Sequence, residues 1–359
     1  MSSANRFLPI LAGAVAGGAI ALVVASGGTT TKSVTTTQVI SSPAASVVPT
    51  SISAGRGLTV NQISRMASPG VVDILVTENT QAGSGQFGFG GSAQTTGEGA
   101  GVVYDNKGDI LTDQHVVAGA TSVKVTFANG HKYPAKVLGT DASTDVGVIR
   151  VQAPASELHP VPFANSAAAQ VGDGVVAIGS PFGLAETVTA GIVSAVNRAI
   201  QAPNQYTITG AIQTDAAINQ GNSGGPLLDA NAHVLGLNDQ IETNSGSSAG
   251  VGFAVPSNTA ARVANQIISG KSVKHSYLGV HLNATGNGAT VAQVQTGSPA
   301  ASAGIRAGDV ITAVNGTAVT STDQFISVVD GYAPGDSVTL KIERGGQTSD
   351  ITVKLGLRP

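Results

Sequence analysis

Between residues 58 and 256, short runs rich in Val and Ile alternate with Gly, Asn, Asp and Pro. The runs fall at 71–77, 101–104, 122–127, 146–151, 175–179, 187–196, 210–214 and 234–237. Runs of that length, with β-branched residues inside and turn formers between, predict strands. Long stretches with a 3.6-residue period are missing over the same region, so the pattern predicts an all-β barrel or sandwich. The Gly-rich patch 83–97 (GSGQFGFGGSAQTTG) lies between two strand-like runs and reads as a loop inside that domain. The period then changes. Over 257–269 (SNTAARVANQIIS), Ala260, Val263, Ala264, Ile267 and Ile268 fall at helical spacing, and Gly270 is placed to cap the helix. From about residue 275 a second unit follows. YLGV opens a strand, Asn315-Gly316 is a hairpin signal, and Phe325, Ile326, Val328 and Val329 form a helical apolar face. Gly335-Asp336 then precedes two alternating strands, VTLKIER and DITVKL, which makes this unit α+β.

The N-terminus carries a different signal. Residues 7–25 (FLPILAGAVAGGAIALVVA) are apolar or small without a charge. As a helix rising about 1.5 Å per residue, they would cross a hydrocarbon core of ~30 Å. Arg6 precedes them and no basic cluster follows, which leaves the rest of the chain outside the cell membrane on a single-pass anchor. A cleaved signal peptide ending near Ala25-Ser26-Gly27 is the alternative, and it too exports the chain. Residues 28–57 are rich in Thr, Ser, Val, Ala and Pro without periodicity. Such a segment buries too little surface to offset its ordering entropy and is expected to be a flexible spacer. The expected organisation is therefore an anchor at 1–27, a linker at 28–57, a β domain at 58–256, a linking helix at 257–274 and a second domain at 275–359.

Composition narrows the chemistry. Charged residues are 11% of the 359 and the net charge is −3, so no basic field exists for a phosphate backbone and nucleic acid is not an expected partner. There is no cysteine, which removes a thiol nucleophile and any thiolate metal site. Six scattered histidines without an HExxH pair give no expectation of a metal, and no cofactor is expected.

Three segments carry reactive residues: His115 in GDILTDQHVVAGA, Asp145 in DASTDVGVIRV, and Ser223 in TDAAINQGNSGGPLLD. A serine is a poor nucleophile unless a base lies within hydrogen-bond reach and a third group holds that base in the right tautomer. Around Ser223, Gly221, Gly224 and Gly225 allow a sharp turn, and the Gly221 and Ser223 amides could converge on a developing oxyanion. Each residue also has a plainer reading: the serine as part of a turn, the histidine as a packed or capping group, and Asp145 as a turn cap like Asp141. GNSGG also fits the loose nucleophile elbow of α/β-hydrolases, but that fold needs the order Ser, acid, His and alternating helices.

The order His115, Asp145, Ser223, together with GDILTDQHVV, DASTDVGVIRV, IGSPFGL, VTAGIVSAVNR, IQTDAAINQGNSGGPLLD and GVGFAVPSN, resembles the chymotrypsin-like serine proteases of the HtrA (Deg) family. The resemblance runs from about residue 58 to the C-terminus. It implies a mainly β fold, with a double six-stranded antiparallel β-barrel in which His115 is the general base, Asp145 its orienting partner and Ser223 the nucleophile. It places an oxyanion hole on the amides of Gly221, Asn222 and Ser223, and a pocket for a small apolar residue along Gly236-Leu237-Asn238. It also implies an ATP-independent endopeptidase, in quality control or stress response, acting on misfolded or exposed segments of envelope proteins, and a homotrimer or larger assembly. The chain departs from the family's pattern at GEGAGVV, at Asp113, where the family usually has Asn, and at Gln220, where it usually has Pro. Asp113 puts an acid two residues before His115, able to perturb it if the side chain points inward.

The second unit resembles the PDZ domain of such proteases, most specifically in SPAASAGIRAGDVITAVNG. That likeness implies that the YLGV loop (Tyr277, Leu278, Gly279, Val280) receives the terminal carboxylate of a peptide, which adds as a strand between this edge and the helix near 323–331. A PDZ domain serving only as a structural or gating module is the alternative. For the whole chain, the rival from another class is a non-catalytic peptide-binding or chaperone protein on the same scaffold.

Overall fold

The computed structural model describes residues 57–81, 92–179, 187–201, 206–219, 221–241, 250–283 and 288–358. The apolar stretch at 7–25 and the spacer up to residue 56 lie outside the described residues. Among the described residues no helix is long and apolar enough to cross a membrane.

Helix α1 (Val60–Ala67) leads in, closed by a capping box in which Thr59 and Gln62 satisfy each other's backbone amides. Six strands then form a closed barrel: β1 (Val71–Gln81), β2 (Ser92–Val103), β3 (Asp109–Asp113), β4 (Ala120–Thr126), β5 (Lys132–Asp141) and β6 (Val146–Val151). A short helix, α2 (Gln114–Val117), sits between β3 and β4. Around the barrel the strands run β1-β2-β3-β6-β5-β4. A second closed barrel follows, from β7 (Gly174–Gly179), β8 (Thr187–Gln201), β9 (Thr207–Thr214), β10 (Pro226–Leu228), β11 (Val234–Ile241) and β12 (Gly252–Pro256), ordered β10-β11-β12-β9-β8-β7.

Two kinds of apolar pattern have two causes. Val72, Ile74 and Val76 alternate along β1 and are at most 2% exposed, because one face of that strand fills the first barrel. By contrast β3, β6 and β12 are buried almost without interruption. Their outer faces join a second cluster in which Val71, Leu111, Val146 and Val148 meet Ile178, Leu228, Leu237 and Val255 of the second barrel. Helix α3 (Ser257–Ile268) lays Ala260, Val263, Ala264 and Ile267 into that cluster. Burial of a Val or Ile side chain such as Val263 or Ile267 contributes about 1.5–3 kcal/mol, and of an alanine less. Gly270, at φ 71°, ends the helix by donating to Ile267 O at 2.9 Å, as its position predicted.

The C-terminal unit contains β13 (Ser276–Tyr277), β14 (Val280–Leu282), β15 (Ala289–Val294), α4 (Pro299–Ser302), β16 (Val310–Val314), β17 (Thr317–Ala318), α5 (Thr322–Asp330), β18 (Ser337–Arg344), β19 (Gln347–Lys354) and β20 (Gly356–Leu357). Its main sheet runs β14-β15-β16-β18-β19, with β17 folded back on β16 through the Asn315-Gly316 turn, where φ is 45° and 81°. Phe325 and Val329 of α5 are buried on this sheet, whereas Ile326 and Val328 are only partly covered. The unit is tied to the barrels at two places. His275 Nε2 lies 3.1 Å from Asp141 Oδ1 and 3.0 Å from Ser143 Oγ, and Thr209 Oγ1 donates to Asp330 Oδ2 at 2.7 Å.

One expectation is corrected. Residues 92–97, read as loop, belong to β2, which pairs with β1 out to Gln81↔Ser92. The pairing extends a polar, Gly- and Thr-rich hairpin beyond the barrel core, so no apolar alternation announces it; the rest of the patch, 83–91, lies outside the described residues. Strand β8 likewise continues to Gln201, beyond the run ending at 196, through bulged pairing with β9.

Gly101 gives a direct test of the packing. A Cβ there would sit 2.8 Å from Ile110 Cγ2, 2.9 Å from Ile74 Cδ1 and 3.0 Å from Leu111 O. Gly101→Ala is expected to destabilise the protein by about 1–3 kcal/mol, seen as a lower urea midpoint for the barrels.

Candidate active site

His115 stands in α2, directly after β3, and Asp145 in the turn between β5 and β6. The turn forces Asp145 to φ 53°, a left-handed conformation uncommon outside glycine. Its carboxylate, fully buried, takes two hydrogen bonds from one residue: the His115 amide donates to Oδ1 at 2.9 Å and ring Nδ1 meets Oδ2 at 2.7 Å. The Gln114 amide closes the grip from the backbone side by donating to Asp145 O at 3.0 Å. This arrangement leaves Nε2 of the ring for a partner on the other side. Asp141 accepts hydrogen bonds from Ser143 and Thr144 and so braces the same turn.

Ser223 lies between β9 and β10, in the second barrel. Its loop is stitched to β11 by Gly224 N–H to Asn238 O at 2.7 Å and Asn238 N–H to Gly225 O at 2.8 Å. It is joined to the first barrel by the Ala100 amide, which donates to Ser223 O at 2.8 Å. Gly224 is required here: at φ 81°, an added Cβ would fall 2.2 Å from Thr112 Oγ1 and 2.4 Å from Ala100 O. The Asn222 amide donates to Asn219 O at 3.0 Å, while the Gly221 and Ser223 amides have no acceptor among the described residues. Ser223 Oγ donates to Asp239 O at 2.8 Å, and no hydrogen bond joins it to the His115 ring among the described residues. His115, Gly221 and Ser223 open onto one cleft of about 540 Å³, whose wall carries Val76, Glu78, Glu98 and Val116. Leu237 and Asn238, expected near a specificity pocket, are buried behind the loop.

The electrostatics are dominated by acids. Burial alone would lower the His115 pKa, but the hydrogen bond and charge of Asp145 and the charge of Asp239 outweigh it, and the net shift is upward from 6.5. Asp113, fully buried, is pushed well above the usual carboxylate range by burial and by the charges of Asp239 and Asp145. Asp239, 1% exposed, is pushed up to about 7 by burial and the Asp145 charge, against the opposing pull of His115. Asp113 therefore does point inward. Asp239, Glu78 and Glu98 did not emerge from the sequence. For Asp239 the available signal was an acid directly behind the mostly apolar run VLGLN.

In the C-terminal unit, Tyr277 ends β13, Leu278 is buried, Gly279 adopts φ 82° and Val280 begins β14. These residues flank a groove of about 310 Å³ between β14 and α5, with Leu282, Phe325, Ile326 and Val329 on its walls.

Residues 99–237 match the trypsin-like peptidase domain, and residues 276–355 match the PDZ domain. A probable periplasmic serine endoprotease DegP-like of Chlamydia trachomatis serovar D is 43% identical over 270 residues, covering 71% of this chain and 53% of that protein. The protein of the same description from Hahella chejuensis is 38% identical over 328 residues, covering 81% of this chain and 68% of that one. The chain thus spans from about half to two thirds of the length of these relatives. Among solved structures, the HtrA-type protease AlgW with tripeptide matches with a TM-score of 0.65 at 33% identity, covering 84% of this chain and 97% of that one.

The raised His115 pKa sets a pH dependence. A group whose proton is held more tightly in the folded protein gives it up only at higher pH. Labelling of Ser223 by a fluorophosphonate, followed against pH, should rise through a midpoint above 6.5, the ordinary histidine value.

Proposed function

We propose that this chain, which belongs to the HtrA (Deg) family of serine endoproteases, hydrolyses peptide bonds in misfolded or exposed segments of extracytoplasmic proteins without ATP. The observation that carries this reading is the clasp of His115 on Asp145 at 2.7 Å, placed at the cleft that also opens onto Ser223. In the reaction, Ser223 Oγ rotates from the Asp239 carbonyl toward His115, transfers its proton to the ring and attacks the substrate carbonyl. The Gly221 and Ser223 amides receive the oxyanion. Asn222, the third amide of the family's pattern, joins them only if its bond to Asn219 O opens. The protonated ring, stabilised by Asp145, then gives its proton to the leaving amine, and water resolves the acyl-enzyme by the same route.

The organisation fits this task. Residues 58–256 form the peptidase, 257–274 a linking segment that opens with helix α3 and leaves the helix at Gly270, and 275–359 the PDZ domain, whose groove between β14 and α5 takes a peptide C-terminus against the Leu278, Gly279 and Val280 amides. Residues 7–25 tether the enzyme to the membrane with both domains outside the cytoplasm, and the working form is a trimer or larger homo-oligomer.

Two experiments test the reading on the full chain. Ser223→Ala should abolish fluorophosphonate labelling and casein hydrolysis, with a rate loss on the order of a millionfold. A wild-type protein inactive in both assays, even with activating peptides, would favour the non-catalytic binding protein instead. Gly279→Ala places a Cβ 2.2 Å from Ser298 Cβ at a left-handed position. It should weaken binding of C-terminal peptides about tenfold by fluorescence anisotropy, while basal labelling of Ser223 persists.

A further inference from the structure

Two acids behind the catalytic histidine have no role in the mechanism above. Asp113, at the end of β3, and Asp239, in β11, are 0% and 1% exposed. Among the described residues the Gly224 amide is the one donor that bears on Asp113, from beyond good hydrogen-bond geometry, and neither carboxyl oxygen of Asp239 has a hydrogen-bond partner. One oxygen from each acid lies within 4.8 Å of the other and of a ring nitrogen of His115. The charged groups acting on Asp113 are Asp239 and Asp145, from the turn between β5 and β6, and those acting on Asp239 are Asp145 and His115, from α2; among the described residues no lysine or arginine acts on them. Three buried carboxylates cannot all stay ionised around one imidazole, because an unpaired charge in a dry site is far costlier than its neutral form. Something must neutralise part of this charge. By spacing alone a small cation would fit, but neither acid lines the cleft that exposes His115 and Ser223. A proton needs no opening.

We propose that Asp113 and Asp239 are positioning residues, a proton-holding acid pair behind the His115–Asp145 couple whose charge sets the pH at which His115 becomes a working base for Ser223. The proposal rests on the reading of His115 as that base. Burial and acidic neighbours raise Asp113 well above the usual carboxylate range and bring Asp239 to about 7, so Asp239 takes up its charge near neutral pH, while the His115 pKa is itself shifted upward from 6.5. Below the Asp239 value the pair is neutral and Asp145 alone faces the ring. Above it, ionised Asp239 adds a second negative charge, which favours the imidazolium and delays the loss of its proton. The two groups then titrate together and the acid limb of activity is broad and displaced upward.

The test uses the full chain and the isosteric variants Asp239→Asn and Asp113→Asn. Two readouts are followed against pH: the rate of fluorophosphonate labelling and the NMR titration of the His115 ring, assigned by its loss in His115→Asn. Asp239→Asn removes the second charge, so both midpoints should fall by about one unit and the limb should narrow to one proton. Asp113→Asn exchanges one uncharged hydrogen-bond donor for another, so both midpoints should stay near those of the wild type, which assigns the titrating charge to Asp239. A purely structural role would lower the rate without moving either midpoint, and midpoints unmoved in Asp239→Asn overturn the proposal. So does wild-type labelling that responds to EDTA or zinc while Asp113→Asn does not, since a cation is then the occupant. Should Asp239→Asn fail to fold, Asp239→Ser makes the same charge loss in a smaller side chain. If the His115 midpoint moves as expected but Ser223 never labels, the acid pair stands and the peptidase reading fails.

Discussion

Asp145 keeps its carboxylate wholly out of water and takes both of its side-chain hydrogen bonds from His115, one from the amide and one from the ring. A buried charge is tolerated only where donors meet it, so this clasp constrains everything nearby. It requires α2 to start immediately after β3, so that the His115 amide and ring reach the same carboxylate. It requires the turn after β5 to enter left-handed space at Asp145. The strain of that turn is contained by Asp141, which gathers Ser143, Thr144 and His275. His115 is therefore oriented by backbone geometry as much as by its own rotamer.

The Ser223 loop is held by a different device. Ser223 owes its place to glycines that let Ala100, Thr112 and Ile178 approach the loop more closely than any Cβ would permit. Since Ala100 and Thr112 come from the first barrel and Ile178 from the second, the serine sits at the seam between them. Its hydroxyl rests on the Asp239 carbonyl, in the same residue whose carboxyl faces the histidine from behind. Asp239 thereby touches both halves of the catalytic apparatus.

The C-terminal unit reaches this apparatus through few but specific bonds. His275, just before β13, binds Asp141 at one end of the turn that ends in Asp145. Asp330, at the end of α5 and beside the groove, binds Thr209 in β9 and Arg358. The groove between β14 and α5 is thus walled by an element bonded to β9, the strand that leads toward the Ser223 loop.

Much of the fold was legible because its elements repeat simple periods. The strands of both barrels, the helix α3 with Gly270 behind it, and the Asn315-Gly316 turn all follow from alternation, helical spacing and turn chemistry. What escaped was polar or Gly-rich pairing, as in residues 92–97, where hydrogen bonding to β1 decides the structure and no apolar pattern marks it. For the site, the sequence by itself determined the reactive residues, the glycines around Ser223 and an acid at 113. Tertiary structure alone decided that Asp145 clasps His115, that Ser223 rests on Asp239 O, and that Asp113 and Asp239 share one dry space. Those relations join residues 30, 16 and 126 positions apart, the last across the seam between the barrels, and local pattern carries no information about which side chains a fold will bring together.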